Sequence, residues 1–80
     1  MNEKTYGEII VRTDFNPSDN SLVSQIKQKT ADLINLINQL AIDEKKKTTD
    51  DGNFEVIRLS ESAISHYEIA AMLAVKAATA

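Results

Sequence analysis

Residues 22–43 read LVSQIKQKTADLINLINQLAID, and the apolar spacing in this stretch decides the fold. Val23, Ile26, Thr30, Leu33, Ile37 and Leu40 recur at steps of three and four, a heptad seam that Leu22, Ile34, Leu36 and Ala41 broaden. The pattern predicts one long amphipathic helix. At about 1.5 Å per residue it runs on the order of 35 Å, more than a single partner helix of a very small monomer can cover.

A second helical pattern follows from residue 54. Ile57, Ile64, Ala71, Val75 and Ala78 form one stripe, and Ala63, Tyr67, Ala70, Ala74 and Ala77 form a neighbouring one. Two stripes imply two partners: the first helix of the same chain, and a close-packed helix from another copy that the alanines admit. Asp51-Gly52-Asn53 makes the reversal, after Lys45, Lys46 and Lys47 close the first helix as a solvated end that suits its negative pole. The alternation within residues 54–59 also allows a strand there.

Ahead of the first helix, Asn16-Pro17 signals a helix start, Asn20 is a second possible cap, and Asp19 complements the dipole in either case. Residues 5–13, TYGEIIVRT, alternate and are β-branched, which predicts a short strand paired with FEVIRL or with the same strand of a second copy. The expected fold is mainly α: an antiparallel helical hairpin (residues 17–80) with a short N-terminal β-strand and loop (residues 1–16), one domain, oligomeric.

Composition narrows the function. A chain of 80 residues has a thin stability margin, and with no cysteine and one histidine it has neither a disulfide framework nor a zinc cluster to widen it. Self-association is the remaining remedy. The net charge of −3 argues against a DNA or RNA polymer as partner, and no apolar run reaches membrane-spanning length. With no signal peptide at the start and no cysteine, a cytoplasmic location is expected, and no cofactor.

Few residues suggest chemistry. There is no cysteine nucleophile, no Gly-rich phosphate loop and no second imidazole to join His66 on a metal, and His66 and Glu68 stand at helical positions that point apart, so no catalytic residue and no enzyme activity is expected. Lys27 on the shoulder of the seam, near Thr30, and Lys76 among alanines each have a plain reading, an aliphatic stem along apolar surface with the ammonium in water. Each also has a functional reading as a grip on an anion. Phe15 is either a staple at the helix start or a platform for a ring, and Arg12 adds a planar donor fork suited to phosphate or purine edges.

SQIKQKTADLINLINQL followed by a turn and AISHYEIAAMLAVKAAT resembles the two-helix hairpin of phage anti-defence sponges, the anti-CBASS and Thoeris anti-defence proteins. The likeness spans residues 15–79 and rests on Ile26-Lys27, the Ser65-His66 pair, and a small-residue run with Met72 and Lys76. It implies a protein without catalysis that sequesters host cyclic nucleotide signals. Cyclic dinucleotides or cyclic ADP-ribose isomers would lie between protomers near the N-terminal segment. Some members hold cyclic trinucleotides at a separate threefold site. It also implies a homohexamer built from interlocked dimers, in the bacterial host cytoplasm.

Carried over, the lysine of the first helix falls on Lys27 and the late basic residue on Lys76. The family's stacking aromatic aligns near Arg12, where this chain has none, so Phe15 or Tyr6 would substitute. The expected ligand residues are Arg12, Phe15, Asn16, Lys27, Thr30 and Lys76. A helical interaction module that binds protein alone is the alternative.

Overall fold

A computed structural model describes residues 3–47 and 54–80. Its elements are α1 (Tyr6–Val11), α2 (Ser21–Lys45) and α3 (Phe54–Ala78). The two long helices form the expected antiparallel hairpin, and α3 takes in residues 54–59, so the strand alternative there does not hold. The Asp51-Gly52-Asn53 turn lies outside the described residues.

The expected N-terminal strand is a helix, and no strand occurs among the described residues. The reason is written in Thr5-Tyr6-Gly7-Glu8, a capping box. The Thr5 hydroxyl accepts from the Glu8 N–H (3.2 Å), and the Glu8 carboxylate accepts from the Thr5 N–H (2.9 Å). Two free donors are thereby satisfied locally, which outweighs the weak strand preference of Ile9, Ile10 and Val11. A side chain of α2 completes the start: Asn35 accepts from the Gly7 N–H (2.7 Å) and donates to the Thr5 hydroxyl (2.9 Å).

α1 ends in a Schellman turn. The Thr13 N–H reaches back to the Glu8 carbonyl (3.1 Å) and the Arg12 N–H to that of Ile9 (3.3 Å), with Arg12 left-handed at φ 56°. Asp19 is also left-handed, at φ 51°, just ahead of the cap of α2. That cap is Asn20, whose side chain accepts from the Leu22 N–H (2.8 Å), so α2 starts at Ser21 and not at Pro17. Asn20 also donates to the Ala78 carbonyl (3.3 Å), joining the start of α2 to the end of α3.

The core of α2 follows the predicted pattern in part: Val23, Ile34 and Ala41 belong to it and Ala31 does not. Val23, Ala31, Ile34 and Ala41 are buried, with Ile64 and Ala71 of α3 and Val11 of α1. Leu22, Leu36 and Leu40 of the broadened seam are instead exposed. Ile34 and Val23 are the largest fully buried side chains, and Ala31 beside Gly7 is buried where the backbones approach closely. On α3 the first stripe packs as expected, with Ile64 and Ala71 buried and Ile57, Val75 and Ala78 partly so. At the other end of α2, Lys47 pairs with Glu44 (3.1 Å), while Lys45 to Lys47 are exposed, as a solvated helix end requires. No helix of the described residues is long and apolar enough to cross a membrane.

Candidate functional site: a cleft between the N-terminal connection and α3

The segment between α1 and α2 is held by Asn16. Its amide donates to the Asn20 carbonyl (2.8 Å) and the Ser24 hydroxyl (2.9 Å), and its oxygen accepts from the Ser18 hydroxyl (3.0 Å) and the Asn20 N–H (3.3 Å). One side chain thus organises the loop, while Asn20 does the capping.

Beneath this loop Lys27 is buried, 8% exposed. Its ammonium donates to the carbonyl of Arg12 (3.1 Å) and to that of Phe15, and stands 5.3 Å from the centre of the Phe15 ring. The carbonyls at the end of α1 and in the loop receive a full positive charge, and the aromatic face adds to it. The snorkelling reading of Lys27 therefore fails: the charge points into the protein. Two of the three ammonium donors are committed to the loop.

This loop and the C-terminal half of α3 enclose a cleft of about 590 Å³, a size suited to a small organic ligand. Arg12, Phe15, Asn16 and Lys27 line it on one side, and Glu68, Met72, Val75 and Thr79 on the other. Ile10, Val11 and Val23 supply apolar surface between them. Two cations and one carboxylate give the cleft a local positive balance in a chain that is negative as a whole.

Four of the six expected residues meet here; Thr30 and Lys76 do not. The Thr30 hydroxyl donates to the Ile26 carbonyl of its own helix (2.7 Å), a local bond away from the cleft. Lys76 is exposed in the last turn of α3, where it complements the helix dipole. Its neighbours Val75 and Thr79 line the cleft, and the turn of the helix carries Lys76 aside. Glu68, Val75 and Thr79 were not anticipated as site residues, nor was Met72 beyond its place in the family likeness. Their spacing of four, three and four is the signal that finds them, a stripe adjacent to the buried one.

His66 approaches the Ser62 carbonyl through Nδ1 (2.8 Å) and is exposed, whereas Glu68 faces the cleft, so the two make no acid–base pair. No group of three metal-ligating side chains occurs among the described residues. One carboxylate next to the site is tuned: the Glu8 carboxyl is held below its usual range by the Thr5 backbone N–H first and by the Gln28 amide second. Glu8 also accepts the Schellman bond that sets Arg12, which ties α1 to the cleft wall.

Compared with protein-family models, curated proteins and solved structures, the chain matches none of them.

Proposed function

We propose that this chain is a non-catalytic binding protein that captures a cyclic nucleotide signal, a cyclic ADP-ribose isomer or a cyclic di- or trinucleotide, in the manner of a phage anti-defence sponge. The observation that carries the reading is the convergence of Arg12, Phe15, Asn16 and Lys27 on one cleft. Such ligands present phosphates and flat bases. The guanidinium of Arg12 and the remaining donor of Lys27 suit a phosphate oxygen, and the Phe15 ring and Met72 offer a base a stacking and an apolar surface. Glu68 can accept from base N–H groups or ribose hydroxyls.

The reading includes assembly into a homo-oligomer, the homohexamer built from dimers that the resemblance implies, in the bacterial cytoplasm. Calorimetry with cyclic di- and trinucleotides and cyclic ADP-ribose isomers tests it, together with recovery of intact ligand after heat denaturation. Binding to at least one, with the ligand returned unchanged, supports the reading; silence across the whole panel removes it.

A second reading, a helical interaction module without a ligand, is favoured by the exposed Leu22, Leu36, Leu40 and Leu73. It expects Arg12→Gln to leave function unchanged, whereas the sponge reading expects loss of capture.

A further inference from the structure

Two helices lying side by side have two broad faces, and here they differ. One face carries α1, which meets α2 at Gln28, Ala31 and Asn35, and beside it the cleft, reached by Met72 and Thr79 of α3. At about 100° per residue, the side of α2 turned away from these contacts holds Leu22, Ile26, Leu33 and Leu40. The matching side of α3 holds Ala63, Tyr67, Ala70, Ala74 and Ala77. The seam and the second alanine stripe thus share one face. Leu22, Leu33 and Leu40 are 58%, 37% and 56% exposed, and Glu44, the acidic residue on this side of α2, is 8% exposed.

We infer that a second copy of this chain covers the face opposite the cleft, the α2 leucine ridge of each copy lying in the α3 alanine trough of the other. Size favours it. Two helices of 25 residues side by side present roughly 37 by 20 Å, about 750 Å² per chain, close to the area per partner of a stable complex. The chain exposes 5963 Å² where a compact monomer of this length exposes about 4,800 Å².

Shape also favours a copy of the chain itself. A twofold axis sets each half against its opposite, so the leucines of α2 would meet the four alanines of α3, with Tyr67 among them. A lipid surface is disfavoured, because membrane-lying helices flank their apolar side with cations, and here Lys29 alone stands at the edge of a chain of net charge −3.

This inference rests on the self-association part of the proposed function and names its surface. It places one cleft per chain on the outer sides of the pair, so pairing needs no ligand. Sedimentation equilibrium of the full chain without nucleotide at micromolar concentration is the test. The wild type is expected to show the mass of two chains or an even multiple. Ala70→Glu and Leu33→Glu are each expected to reduce it to one chain with helical circular dichroism retained. Ser65→Glu, exposed on the cleft side, is expected to leave it unchanged. Should Leu33→Glu unfold, the exposed Ala70 still reads the interface. A single-chain mass for the wild type, the result if another protein or a membrane were the occupant, overturns the inference. So does a pair that survives Ala70→Glu. A single-chain mass would also remove the assembly part of the proposed function, whereas neither result decides whether the cleft binds nucleotide, which calorimetry tests separately.

Discussion

Gly7 and Ala31 touch backbone to backbone: a Cβ on Gly7 would overlap the Ala31 carbonyl and come within 2.9 Å of its Cα. On an exposed helix a glycine-to-alanine change is stabilising, but here the added methyl meets main chain that cannot step aside. Gly7→Ala is expected to destabilise the fold by about 1–3 kcal/mol. Thermal unfolding followed by circular dichroism checks this, with a fall of about 4–8 °C per kcal/mol in a chain of this length. An unchanged or raised Tm contradicts the contact.

Lys27 makes a second test, since it serves the fold and the cleft together. Lys27→Met keeps the aliphatic stem and removes both carbonyl bonds, at an expected cost of about 1.5–3 kcal/mol in urea unfolding. Ligand capture is expected to weaken as well. A variant as stable as the wild type would mean that the ammonium does not hold the loop.

Arg12 separates stability from binding by sign. A left-handed non-glycine residue costs about 1–2 kcal/mol of backbone strain, which glycine relieves. Arg12→Gly is therefore expected to raise Tm while lowering affinity for an anionic ligand. Loss of both, or gain of both, assigns the side chain a different role.

The Glu8 carboxyl gives the fold a pH dependence of known direction. Its pKa is lower in the folded chain, chiefly through the Thr5 N–H, so its stabilising contribution is present above the unfolded value and is lost as pH falls through the folded one. α1 is expected to loosen on acidification below the ordinary carboxylate range. Comparing acid titrations of helix content for wild type and Glu8→Gln checks this; a variant with the same acid limb refutes it.

The long helices were legible because their periodicity extends over many turns. α1 was not, because Glu8-Ile9-Ile10-Val11 alternates like a strand while the stronger signal is the Thr5 and Glu8 pair, two polar residues that satisfy each other's backbone. The buried face of α2 was legible in part. Val23 and Ile34 are buried as the spacing predicts, but Leu36, included for its bulk, is 70% exposed, and Ala31, passed over for its size, is 0% exposed because Gly7 meets it backbone to backbone. Arg12, Phe15, Asn16 and Lys27 could be named in advance because loop and helix start are near in sequence. The α3 wall shows in the sequence only as a stripe of Glu68, Met72, Val75 and Thr79, and which side of the hairpin that stripe faces depends on how the hairpin closes.

Asn20 has a consequence for how the molecule could be divided. One amide holds the first turn of α2 and the last carbonyls of α3 together, at the end of the hairpin away from its connection. Two separate peptides, residues 1–47 and 54–80, therefore retain a clasp independent of chain continuity, and mixing them should rebuild the pair of helices with the cleft in place.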